Sequence, residues 1–418
     1  MSTTAGIAPT AGQPRYAWVV MAHLWGMDFV NNMVFFSLGV LVPIWREDLG
    51  LTPTQAGLLG TAGFMGFGLM ALPASIWLTR YSPKLVTLFA SLGMAAFTML
   101  QAASPGAVVL MLARLGFVIC SAVRIQLQVM LIQQWFRPKL YATVNSLDYG
   151  TRSTGQVIAL AATPGLVMLL GSWRSHYFFV GVLLLLVTLS WVFFGRERRV
   201  RPEGDAAGRH EPNPAGVLRR NKTMWMVATA QLGVAICFGS FLTFYPTYAI
   251  DKLDISLETA GLLMSAFPVG GVCGTLASGP LSQWAGRRKP FIIVPGIILP
   301  VAYSLLLQAD SVPMAALALF IICLTAMGTA PILFTIPMDL RLPHREVAVA
   351  QGLMRTLFPF SAMWGPLFVG LMQEGTGSLF IGLAIVAPLN ITLFINGMLM
   401  PETGIRGRLD RIRASRAA

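Results

Sequence analysis

Apolar runs long enough to cross a bilayer recur twelve times along the chain, each cut off by a charged or Pro/Gly-rich turn. A helix rising 1.5 Å per residue crosses the ~30 Å hydrocarbon core in about 20 residues. The runs predict membrane helices, spans 1 to 6, over 16–43, 55–79, 84–103, 106–135, 141–170 and 176–195. Spans 7 to 12 follow over 223–249, 258–284, 290–309, 312–337, 347–372 and 378–400. The longest polar interruption, 196–222, mixes Gly, Pro and both charge signs without an apolar period, and reads as a linker. The organisation is therefore an N-terminal six-helix bundle (1–195), a cytoplasmic linker (196–222), a C-terminal six-helix bundle (223–400) and a basic cytoplasmic tail (401–418).

Composition agrees with this pattern. Of 418 residues, 55% are hydrophobic and 11% charged, against about 25% charged in soluble domains. So few charges cannot solvate a globule, and the bilayer is the expected partner. The net charge of +13 does not point to nucleic acid, because the basic residues fall in short tracts between apolar runs. If both termini are cytoplasmic, only Arg46, Arg174 and Lys252 among the loop Lys and Arg residues face the other side. That asymmetry predicts a multi-pass protein of the cell inner membrane with both termini inside. Residues 1–15 lack an apolar stretch and are not expected to be a signal peptide. Cys120, Cys237, Cys273 and Cys323 each sit in an apolar run, so neither a disulfide framework nor a metal site is expected. No catalytic triad or P-loop occurs. An enzyme, a cofactor and an ATP drive are not expected.

The halves repeat each other. Ala56-Gly57-Leu58-Leu59 in span 2 returns as Ala260-Gly261-Leu262-Leu263 in span 8, 204 residues later. At the same offset, Ser75 to Lys84 aligns with Gly279 to Arg288. Two matches in register indicate duplication of a six-span unit.

The second of these segments resembles the cytoplasmic loop signature of the major facilitator superfamily, G-x-L-a-D-R-x-G-R-K/R. Gly279, Leu281, Gly286, Arg287 and Arg288 match it, whereas Gln283 and Trp284 replace its Asp and first Arg. The N-terminal copy keeps only Arg80 and Lys84 and has Thr79 at the Asp position. The resemblance implies an all-α membrane fold of twelve transmembrane helices in two pseudo-symmetric six-helix bundles that works by alternating access. It also implies gating loops at Arg80 and Lys84 and at Gly286, Arg287 and Arg288, without the usual locking Asp. Asp48 to Leu59 resembles the entry to span 2 in anion:cation symporters and cyanate-type transporters. Trp135-Phe136 before Pro138 is similar to the same group.

An ionised group at bilayer depth costs at least ~2.5–3.5 kcal/mol, so such residues normally face a bundle interior or a pathway. Four arginines lie at depth: Arg114 and Arg124 in span 4, Arg152 in span 5 and Arg355 in span 11. Two aspartates do, Asp28 in span 1 and Asp148 in span 5. Arginine cannot shed its proton, and its planar fork matches a carboxylate. The surplus positive charge therefore predicts a bound anion, most simply a small carboxylate. Arg152, about 11 residues into span 5, and Arg355, about 8 into span 11, fall near the midplane. In the resembled family these spans line opposite halves of the central cavity, so the two arginines form a candidate clamp. Oxalate/formate-type antiporters similarly carry a basic residue in span 11.

Each residue has a structural alternative. Arg114 either braces span 1 or takes part in proton coupling. Arg124 shares a stripe with Ser121 and Gln128 and either contacts substrate or pairs with Asp148. Asp148 and Arg152 are spaced i, i+4 and can pair with each other. Asp28 either carries a proton or is the fixed partner of Arg114. Asn31 and Asn32 bond either substrate or a neighbouring helix. His23, Gln126 and Gln231 are weaker candidates, and one or two of Phe35, Phe238, Tyr245, Phe358 and Trp364 are expected to wall the cavity. Pro246, Pro268, Pro331 and Pro366 are expected to kink their spans. The predicted function is secondary active transport of a small anion by a monomer, with proton symport and anion exchange both compatible. An exporter of drugs or metabolites with another charge preference is the alternative.

Overall fold

The computed structural model describes residues 15–78, 81–136, 140–197, 220–340 and 344–404. The described residues are helical almost throughout. Backbone groups in hydrocarbon must be satisfied within their own segment, and the helix does this. Span 1 comprises Tyr16–Phe35 and Ser37–Leu49, and spans 2 to 6 are Pro53–Trp77, Pro83–Ala102, Ala107–Trp135, Tyr141–Leu169 and Trp173–Phe194. Span 7 comprises Lys222–Ala230 and Leu232–Leu253, and spans 8 to 10 are Leu257–Ala285, Pro290–Gln308 and Val312–Asp339. Span 11 comprises His344–Ala362 and Trp364–Thr376, and span 12 is Leu379–Val386 and Ile391–Leu399 joined by a 3₁₀ turn. Nine spans are apolar enough to be recognised as membrane-crossing by length and composition among the described residues. Most of the predicted linker, residue Arg80 and the basic tail beyond Gly404 lie outside the described residues.

The duplication is visible in the turns. Thr52 and Gln55 cap each other reciprocally at the start of span 2, by Thr52 N–H to Gln55 Oε1 at 3.0 Å and Gln55 N–H to Thr52 Oγ1 at 3.2 Å. At the same place in the second half, Ser256 Oγ accepts from Thr259 N–H. The loops that open spans 3 and 9 are each held by a carboxylate from the last span of their own half. Glu197 accepts from Lys84 N–H at 3.1 Å, and Glu402 accepts from Arg288 N–H at 2.7 Å. Gly286 ends span 8 at φ 65°, a conformation that disfavours any residue with a Cβ.

The halves meet mainly through spans 2 and 11, 5 and 8, and 1 and 7. Small residues let the backbones approach closely, as packing between helices in lipid requires. A Cβ on Gly57 would strike the Pro366 carbonyl, one on Gly370 the Pro53 carbonyl, and one on Gly261 the Leu160 carbonyl. Thr61 donates to the Met363 carbonyl at 2.6 Å, where span 11 breaks. These contacts run from the end of the bundle opposite the chain termini to about the midplane, where a Cβ added at Gly68 would come within 3.3 Å of Phe360. The halves are thus sealed at the non-terminal end. A bulky Gly57→Leu change should hold this seal apart without unfolding either bundle. The expected result is faster labelling of a cysteine placed at Gln156 by an impermeant maleimide added from the non-terminal side.

Candidate functional site

Asp28, on the inner face of span 1 and only 2% exposed, is the centre of a polar network inside the first half. Its carboxylate pairs with the fully buried Arg124 of span 4. Gln128, one turn beyond Arg124, accepts from Arg124 Nη1 at 3.0 Å and donates to Asp28 Oδ2 at 2.8 Å. The same amide donates to Asp148 of span 5, which also accepts from Trp25 Nε1 at 3.1 Å. Arg152 Nε lies 3.2 Å from Asp148 Oδ2 and 3.4 Å from Asp28 Oδ2. The spacing of Asp148 and Arg152 produces the expected intrahelical pair, and packing against span 1 adds a second acid.

Two pairings differ from the sequence expectations. Arg124 pairs with Asp28, not with Asp148, because span 4 turns its stripe toward span 1. Arg114 is not the partner of Asp28. It donates to the Val34 and Phe35 carbonyls at 2.8 and 2.7 Å, and its guanidinium lies 5.5 Å from the Phe35 ring. Those carbonyls adjoin the break of span 1 at Phe36, so Arg114 braces that break. Asn31 accepts from Ser121 Oγ at 2.7 Å, and Asn32 donates to the Arg152 carbonyl at 2.9 Å. Both asparagines are buried and engaged between helices.

Two cationic groups remain open. Arg152 keeps 23% exposure, and its Nη groups have no hydrogen-bond partner among the described residues, although its Nε is held between two carboxylates. Arg355 is exposed, has no acidic partner among the described residues, and lies 5.6 Å from the centre of the Phe334 ring. An aromatic floor joins the two sites. Phe238 of span 7 lines a cavity of about 70 Å³ with Ser153 and Gln156 of span 5. The Phe238 ring also lies 5.9 Å from that of Phe358, tilted by 60°, one turn from Arg355. Arg152 and Arg355 both lie on the terminal side of the sealed contacts.

The profile of the Major Facilitator Superfamily matches residues 24–366, most of the chain. This chain belongs to that superfamily. As a major facilitator it is a membrane transporter rather than an enzyme. It is 25% identical over 347 residues to the probable L-galactonate transporter of Escherichia coli (strain K12), covering 76% of this chain and 75% of that one. It is 22% identical over 411 residues to the hexuronate transporter of Bacillus subtilis (strain 168), covering 92% and 96%. Among solved structures, a bacterial homolog of the human lysosomal transporter Spinster, inward-facing and unoccupied, superposes with a TM-score of 0.73 at 16% identity, over 93% of this chain and 95% of that one. The nucleoside transporter NupG superposes equally well, at 13% identity over 93% and 99%.

In this major facilitator the second-half loop is tied to span 10 in place of the usual span 8 Asp. Arg288 donates from Nε to Asp339 at 3.0 Å and from Nη1 to Ser282 at 2.6 Å. In the first half Lys84 Nζ donates to the Val192 carbonyl at 3.3 Å. Sequence reasoning missed Trp25, Ser153, Gln156, Glu197 and Glu402. Gln156 stands four residues after Arg152 on one stripe, a signal that was available. Glu197 and Glu402 follow the repeat offset to within one residue, but nothing local marks them as loop anchors.

Proposed function

We propose that this transporter moves a small organic anion, a carboxylate, across the cell inner membrane by alternating access, with both termini in the cytoplasm. One observation carries the reading. The buried acids are engaged by Arg124 and Arg152, Arg114 is held by two carbonyls, and Arg355, one turn from the Phe358 ring that meets the cavity-lining Phe238, has no acidic partner among the described residues. An anion bridging the open fork of Arg152 to Arg355 supplies that counter-charge. The named substrates of the galactonate, hexuronate and galactarate/D-glucarate transporters among its relatives are carboxylates, which supports the assignment.

With the termini inside, the seal at the opposite end makes this an inward-facing state. Arg124, Gln128, Asn31 and Asn32 then act as positioning residues behind Arg152 rather than as direct contacts. Substrate that draws Arg152 off its acids leaves Asp148, 14% exposed, short of a counter-charge, and a proton takes its place. Asp28 is sealed from the cavity and serves as the fixed anchor. Lys84, Gly286, Arg287 and Arg288, with Arg80, hold the cytoplasmic loops while the bundles rock. The transporter works as a monomer, with lipid and protons as its other partners.

The test is purified protein in liposomes. Saturable uptake of a carboxylate, inhibited by other carboxylates, is the expected result. Resistance to cationic dyes on expression, with no carboxylate uptake, overturns the proposal in favour of an exporter.

A further inference from the structure

The two sides of the central cavity differ in chemistry. On the first-half side, beside Phe36 and Leu160, span 5 presents Ser153 and Gln156, whose side chains make no hydrogen bond among the described residues, and Gln156 stands one turn after Arg152. On the second-half side the wall is Phe238, Phe267, Pro268 and Met327. Phe238 and Phe267 are 5.6 Å apart, and Phe358 continues the aromatic surface toward Arg355. Three other polar side chains of the first half are already used. Asn31 is taken by Ser121, Asn32 by the Arg152 carbonyl, and Gln128 by Arg124 and two carboxylates.

We propose that the substrate is an amphipathic monocarboxylate, an anionic head joined to an aromatic or branched aliphatic body, rather than a polyhydroxylated acid. This rests on the anion reading of the same site. The head engages Arg152 and Arg355, and Ser153 and Gln156 complete its polar shell. The body lies on Phe238, Phe267 and Met327. A hydroxyl placed against that wall loses water and gains no partner, and each such hydroxyl weakens binding. An apolar body there gains from leaving water.

The inference is tested by calorimetric titration of the full-length protein in nanodiscs with phenylacetate, gluconate and the neutral 2-phenylethanol. Phenylacetate is expected to bind at least about tenfold more tightly than gluconate, and 2-phenylethanol not to bind. Phe238→Ala is expected to weaken phenylacetate about tenfold. Phe238→Leu, which keeps an apolar wall and guards against misfolding, is expected to weaken it less. Gluconate binding as tightly as phenylacetate and lost in Arg355→Ala overturns the apolar-body proposal and leaves the anion reading standing. Equal binding of 2-phenylethanol and phenylacetate, unaffected by Arg355→Ala, overturns the anion reading and the proposal with it. Phenylacetate binding unchanged in Phe238→Ala overturns the assignment of the aromatic wall.

Discussion

Arg355→Ala is expected to abolish uptake of the carboxylate while leaving the protein folded. Removing one partner of a desolvated, charge-assisted contact costs about 2–5 kcal/mol, which is roughly 30-fold to several thousand-fold in affinity. The fold loses little, because the recorded partner of Arg355 is the face of Phe334, and an exposed cation–π contact contributes only about 0.5–1 kcal/mol. Arg355→Lys keeps the charge without the fork and should fall between wild type and alanine. Uptake in liposomes, read beside thermal unfolding of each variant, separates the two effects. Wild-type uptake in Arg355→Ala would remove the residue from the site. Arg152→Ala is a less clean experiment, since it also releases Asp28 and Asp148 from a cation.

The second large effect is on folding. Asp28→Ala should lower stability by about 3–5 kcal/mol, because it leaves Arg124 charged, fully buried and without its carboxylate. Arg124 cannot relieve the strain by losing its proton. Asp28→Ala combined with Arg124→Met removes both charges and should recover much of the loss, since paired buried charges are often replaceable by apolar residues at little net cost. The measurement is the thermal midpoint of purified protein in detergent. Equal melting of Asp28→Ala and wild type would show that Arg124 finds another counter-charge. Arg355 differs, having no acidic partner among the described residues.

The positions of the twelve spans and the duplication were legible in the sequence. Lipid demands a continuous apolar helix and tolerates charge only in turns, so span limits are local properties of composition. Where each of the four arginines falls along its helix was legible for the same reason, since 1.5 Å per residue converts position into height. The Asp148–Arg152 pair was legible because both groups ride one helix. The partners of Arg124 and Arg114 were not. Asp28 and Arg124 are 96 residues apart, and which face of span 4 meets span 1 depends on packing around the whole bundle. The aromatic wall is similarly non-local, since Phe238, Phe267, Met327 and Phe358 come from four different spans.

By itself the sequence determined that this chain crosses the membrane in two repeated halves and holds more guanidinium than carboxylate at depth. Both facts follow from the cost of polar groups in hydrocarbon, which acts on each residue wherever its neighbours lie. Only the tertiary structure decided which arginines are matched and which end of the bundle is sealed. Those outcomes depend on the azimuth of one helix against another, set by close packing at residues such as Gly57 and Gly261 and not written in any single span.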